Sequence, residues 1–195
     1  MKKLGLITFL CSLILLTSCS SVISTFRSTP LSENYGKRTW GGFIDDASIE
    51  TKARVNLNKV DPTLDKSHLV VVSYNGIVLL AGQVPNPELK SLAGSTVKSV
   101  RKVRRVHNEI KIAGSSSTLA RINDSWLTSK IKLRLFLTAG IPSSRVKVVC
   151  ENGEIFLLGL LSRDEAQRVV AAVQKSYGIQ KIVKMFEYTD DRPAY

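Results

Sequence analysis

The chain has 195 residues, with 28 lysines and arginines against 16 aspartates and glutamates, for a formal net charge of +12. Such a field favours anionic partners. Its two histidines and three cysteines fall in no metal-binding spacing, and nothing supports a nucleophile triad, so neither a metal centre nor an enzyme is expected.

The chain opens with "MKKLGLITFLCSLILLTSCSS", two lysines followed by an apolar run and small residues before a cysteine. The run is too short for a comfortable membrane span and reads as an export signal over residues 1–18. "LTSC", Leu16 to Cys19, resembles the lipobox of bacterial lipoproteins. That resemblance implies a diacylglycerol and an N-acyl chain such as palmitate on Cys19. Because Ser20 rather than aspartate follows, it also implies sorting to the outer membrane, on the periplasmic face. Once Lys2 and Lys3 leave with the signal, 26 basic and 16 acidic residues give +10. Export excludes nucleic acid as the ordinary partner and leaves phospholipid headgroups, lipopolysaccharide phosphates and peptidoglycan carboxylates. Cys150 then keeps the one thiol, in "VKVVCENG", and reads as a small strand residue.

Residues 19–42, rich in Ser, Thr and Gly with Pro30, read as a flexible tether with a typical span of roughly 25–30 Å. Beyond it the chain repeats itself. "DDASIETKARVNLNKV" matches "NDSWLTSKIKLRLFLT", "HLVVVSYNGIVLLAGQV" matches "RVKVVCENGEIFLLGLL", and "VRRVHNEIKI" matches "IQKIVKMFEY". Two units, 43–113 and 120–189, are joined by a linker at 114–119 and followed by a short tail, 190–195. Each is small for a single core, so packing between them would help.

Each unit reads as helix, strand, strand, helix, strand. Asn75-Gly76 and Asn152-Gly153 suit tight hairpin turns. Asn86-Pro87 and the capping box from Ser162 to Glu165 start the second helices. Runs such as "IVLLAG" and "EIFLLG" are strands with one face on the helices. Gly82 and Gly159 mark close backbone approaches near strand ends. Asp45, Asp46, Asp164 and Glu165 are expected at helix starts, as caps.

These features resemble the BON domain, and with the lipobox the chain is similar to dual-BON outer-membrane lipoproteins of the DolP type. The resemblance implies an α+β fold of two tandem BON domains, each αββαβ with a three-stranded mixed sheet packed against two helices. It further implies a non-enzymatic envelope-integrity protein whose second copy binds anionic phospholipid, phosphatidylglycerol or cardiolipin, and which gathers at the division site, where envelope-assembly or division proteins are candidate partners.

Duplication supplies an internal control. Ile49, Ala53 and Leu57 in one copy and Leu127, Ile131 and Leu135 in the other are the core stripes of the first helices. One position earlier, Ser48, Lys52, Val55 and Lys59 become Trp126, Lys130, Leu133 and Leu137, and Phe136 stands opposite Asn58. Trp126 could pack on the other copy, cover a local gap, or enter a membrane surface, where tryptophan favours the headgroup boundary and Lys130, Lys132 and Arg134 would flank it. The candidate phospholipid site is therefore Trp126, Lys130, Lys132, Leu133, Arg134 and Leu137. The densest basic run, Lys98 to Lys111, reads as a solvated face or as a second anionic contact through Arg101, Lys102, Arg104 and Arg105. In the second case the protein would be a scaffold for peptidoglycan or an envelope protein, with Trp126 sealed against the first copy.

Overall fold

A computed structural model describes residues 38–189. The expected signal peptide, Cys19, the tether up to residue 37 and the tail 190–195 lie outside the described residues.

In the first copy, α1 (Trp40–Val60) and a short α2 (Pro62–Lys66) lead into β1 (Leu69–Tyr74) and β2 (Ile77–Val84), followed by α3 (Pro87–Lys98), β3 (Arg105–Asn108) and β4 (Lys111–Ile112). In the second, α4 (Thr118–Leu137) and a 3₁₀ turn at Ser143–Arg145 precede β5 (Val146–Glu151), β6 (Glu154–Leu161), α5 (Arg163–Gln174) and β7 (Lys181–Tyr188). The αββαβ order thus holds twice. In each copy an antiparallel hairpin gains a parallel third strand, giving a mixed sheet. The first copy's last strand is broken between Asn108 and Lys111, so β3 and β4 both pair with β2.

Local chemistry sets the boundaries, two of which differ from the sequence reading. α1 begins at Trp40, inside the segment read as tether, because the Thr39 hydroxyl accepts the Gly42 N–H at 3.0 Å. α4 begins at Thr118, inside the expected linker, with Ser117 as its cap. The Ser116 N–H donates to Gln83 Oε1 at 3.0 Å, which pins that linker to the first copy. Both turns are as expected. Asn75 and Gly76 have φ of 52° and 73°, and Asn152 and Gly153 have 50° and 70°, the left-handed pair a two-residue hairpin needs.

Strand parity explains the layers. In β2, Val78, Leu80 and Val84 face α1 and α3, while Ile77, Leu79 and Ala81 point the other way. In β6, Ile155, Leu157 and Leu161 face α4 and α5, while Phe156, Leu158 and Leu160 point away. The two outward sets meet in a core of their own with Val72, Tyr74 and Met185. The sheets therefore pack face to face with helices outside, and β2 and β6 are buried at every position. One face of each strand lies on the helices, as expected, and the second face is covered by the other copy. Polar pairs ring this seam. Gln83 Nε2 donates to Glu151 Oε1 at 2.7 Å, Lys147 Nζ to Glu50 Oε1 at 2.8 Å, Lys111 Nζ to Glu154 Oε1 at 2.6 Å, and Tyr74 Oη to the Arg145 carbonyl at 3.0 Å.

Gly82 and Gly159 sit two residues inside their strand ends. A Cβ on Gly82 would lie 2.0 Å from the His68 carbonyl oxygen, with φ at +119°; one on Gly159 would lie 2.7 Å from the Arg145 carbonyl oxygen. Gly82→Ala should therefore cost roughly 2–4 kcal/mol, combining backbone strain with a shifted strand. Gly159→Ala should cost less. Urea unfolding of both variants checks the order.

Candidate functional site

The site begins with a buried charge. Asp46 and Asp124 occupy the same place in the two first helices, and both are buried. Asp124 accepts the Asn152 N–H at 2.7 Å, the Gly153 N–H at 2.9 Å and the Cys150 thiol at 3.1 Å. Asp46 accepts the Asn75 N–H at 2.8 Å, the Gly76 N–H at 2.9 Å and the Ser73 hydroxyl at 2.6 Å, and pairs with Arg38 at 2.7 Å. Sequence reading placed Asp45 and Asp46 at a helix start as caps. The structure corrects this: Asp46 lies in the second turn of α1 and clasps the hairpin, while Asp45 pairs with Lys102 at 2.6 Å.

The clasp fixes the rotation of each helix about its axis. With about 100° per residue, a side chain two positions from the clasping aspartate points about 200° away from the hairpin. Those positions are Ile44 and Ser48 on α1, and Ile122 and Trp126 on α4. Trp126 is accordingly 61 % exposed. It neither packs on the first copy nor fills a local gap.

Leu133 and Leu137, from the same sequence stripe, are exposed with it, and Phe136 lies exposed alongside. Leu119 and Ile122 are exposed too and extend the ridge towards the start of α4. Leu119 was missed because it was assigned to the linker, and Ile122 because the comparison of the two helices began at Asn123. Their signal was available: 119, 122, 126, 133 and 137 follow steps of three, four and seven, one face of a helix. The ridge thus runs along a 20-residue helix, about 30 Å long. A monomer rarely leaves so continuous an apolar surface without use.

Electrostatics on α4 match. Its one carboxylate, Asp124, is consumed by the hairpin. Lys130 Nζ lies 4.9 Å from the centre of the Trp126 ring, a cation–π contact within the ridge. Lys132 and Arg134 lie on its two flanks, and among the described residues these three cations form no ion pair. The second set of predicted cations differs. Lys102 pairs with Asp45, and Arg104 pairs with Glu187 at 2.9 Å, while Arg101 and Arg105 are exposed and form no ion pair among the described residues. Arg104 thus belongs to the polar rim of the seam between sheets.

Other reactive groups are tied up. Cys150 is buried, and burial followed by the Asp124 hydrogen bond pushes its thiol far up, so it stays protonated. His68 faces Glu151 at 3.3 Å in the seam, and burial and then Arg105 push the His107 imidazole down. No helix among the described residues is long and apolar enough to cross a membrane.

The chain is built of paired α+β repeats, each gripping its own hairpin and joined sheet to sheet, with one outer helix presenting a cationic apolar face. The chain belongs to the BON domain family, whose pattern matches residues 45–114 and 123–190. It is 34% identical over 190 residues to "Outer membrane lipoprotein DolP" of Haemophilus influenzae, covering 97% of each chain. It is 33% identical to "21 kDa hemolysin" of Actinobacillus pleuropneumoniae, over 77% of this chain and 78% of that protein. It is 26% identical to "Osmotically-inducible protein Y" of Escherichia coli, over 74% of each.

The clasp predicts a pH dependence. Burial works against the Asp46 charge, but the Ser73 hydroxyl, the Gly76 and Asn75 amides and Arg38 together outweigh it and hold the carboxyl below its ordinary value. A depressed carboxyl stabilises the fold above its unfolded pKa of about 3.9, and that stability is lost as pH falls through the lower folded value. Asp46→Asn should lose about 1–3 kcal/mol at neutral pH. Its unfolding free energy should then fall less than that of the native chain as the solution is acidified, measured by denaturant titration.

Proposed function

We propose that the protein is an outer-membrane lipoprotein on the periplasmic face, which binds anionic phospholipid through α4 of its second repeat and so supports envelope integrity. The observation that carries this reading is the exposed ridge around Trp126, with cations that form no ion pair among the described residues, on a helix whose duplicate has Ser48 and Lys59 in place of Trp126 and Leu137 and keeps an apolar Val55 in place of Leu133. The likeness to a protein named an outer-membrane lipoprotein supports the location, and the lipobox supports a diacylglycerol and N-acyl chain on Cys19. Binding and organisation, rather than catalysis, are its work; it uses no cofactor beyond those acyl chains. Phosphatidylglycerol or cardiolipin is the lipid, the division site its place of concentration, and envelope-assembly or division proteins its further partners.

Magnitudes assign the contact its role. Two or more acyl chains already anchor a protein stably, at about 0.8 kcal/mol per buried CH₂. The helix is therefore a reader of local lipid, not the anchor. Lys130, Lys132 and Arg134 would each add about 1 kcal/mol at an anionic surface, and Trp126, Leu133 and Leu137 would enter the headgroup boundary. Weak binding suffices, because a short tether gives a millimolar effective concentration.

A version spanning residues 20–195 isolates this contact from the acyl anchor. It should sediment with phosphatidylglycerol vesicles and not with phosphatidylcholine vesicles. Trp126→Glu should abolish capture with an unchanged circular dichroism spectrum, and replacing Lys130, Lys132 and Arg134 by glutamine should weaken it by roughly 100-fold at low salt. Capture that survives Trp126→Glu defeats the reading. Capture by peptidoglycan sacculi in place of vesicles would instead favour a scaffold role through Arg101, Lys102, Arg104 and Arg105.

A further inference from the structure

The two first helices differ at their N-terminal ends as well, and in the opposite sense. Where α4 carries Thr118 and Arg121, the equivalent places on α1 are Trp40 and Phe43. Trp40 is 85 % exposed, and Phe43 and Ile44 beside it are exposed. At about 100° per residue the three share one side of the helix, away from Ile49 and Ala53, whose side faces the core. The fold of the second repeat shows that no aromatic residue is needed there.

Three observations place this patch. Arg38 stacks its guanidinium on the rings of Phe43 and Tyr74, at 5.0 and 4.6 Å, while it pairs with Asp46 at 2.7 Å, so the chain entering α1 is clamped to the body at this point. Trp40, Phe43 and Tyr74 form with Ser144 and Arg145 an open hollow of about 380 Å³. Those last two residues belong to the 3₁₀ turn that follows α4, so the hollow is lined by both repeats. Finally, only residues 20–37 separate Cys19 from Arg38, a span of at most about 70 Å even if fully extended. By chain, no described part of the body lies nearer an acylated Cys19.

We propose that Trp40, Phe43 and Ile44 are a second bilayer contact, inserted at the headgroup–acyl boundary beside the point where the tether joins the body. This rests on the membrane reading of α4 and adds a second point of support, on the first repeat. Its chemistry is that of an interfacial anchor: aromatic side chains with a guanidinium stacked on one of them. With contacts on both repeats, the lipid surface would fix the tilt of the body as well as hold it close.

The chain has two tryptophans, Trp40 and Trp126, so each contact can be read alone. The full-length protein, as Trp126→Phe or Trp40→Phe, is reconstituted into phosphatidylglycerol vesicles containing lipids brominated on their acyl chains, and fluorescence is compared with unbrominated vesicles. The proposal expects loss of intensity from both tryptophans. Quenching of Trp126 without Trp40 overturns it and leaves the α4 reading standing. Quenching of Trp40 without Trp126 supports this contact and removes the α4 one, and quenching of neither overturns both. Trp40 emission that is unquenched but shifts to the blue as protein density on the vesicle rises overturns it in favour of contact with a second copy.

Discussion

A carboxylate that grips a hairpin turn sets everything else in this molecule. Asp46 and Asp124 each hold the two amides of an Asn-Gly turn, so the first helix of each repeat can rest on its sheet in one rotation only. The carboxylate is buried, yet its acceptor sites are filled by backbone N–H groups and a hydroxyl or thiol, the condition under which a buried charge is tolerated. With the rotation fixed, Ile49, Ala53 and Leu57 must face the first core, and Leu127, Ile131 and Leu135 the second. The residues two positions from the aspartate must then face outward. Trp126 is exposed because Asp124 is engaged.

The second constraint is the seam. Each repeat alone would leave one sheet face bare, with Tyr74, Leu79, Phe156 and Leu158 in water. Packing the sheets together removes that face from solvent and gives each small unit enough core. The seam also decides what remains available for binding. It consumes Lys111, Lys147 and Arg104 in ion pairs, one of them with Glu50 on α1, and it leaves the outward faces of α1 and α4 exposed. The repeats can therefore diverge on those outward faces without disturbing each other. On α1 the outward face carries Ser48, Lys52 and Lys59 around Val55 and is aromatic at its start, whereas on α4 it is apolar at Trp126, Leu133 and Leu137 around Lys130.

Much of this was legible in the residues. The repeat, the Asn-Gly turns, the capping box at Ser162 and the core stripes follow from period and local chemistry, which act over a few residues. The exposed stripe on α4 was found because one copy served as a control for the other. What escaped was non-local. Nothing in a single strand says that "IVLLAGQV" is covered on both faces, since the second cover comes from residues some 75 positions away in sequence. Asp46 looked like a cap because it follows Asp45 near a helix start, and only the fold brings it to a turn 29 residues on. Trp40 and Leu119 were lost to boundaries, where a capping Thr39 or Ser117 is easily read as linker.

The central claim is that the later repeat alone presents its first helix to lipid along the middle and end of that helix. Nitroxide labels at position 133, on α4, and at its duplicate position 55, on α1, test it by their accessibility to dissolved oxygen and to a water-soluble relaxation agent on phosphatidylglycerol vesicles. The account expects the label at 133 to gain oxygen accessibility and lose contact with the aqueous agent, while the label at 55 stays in water. Equal aqueous accessibility at both positions would contradict it.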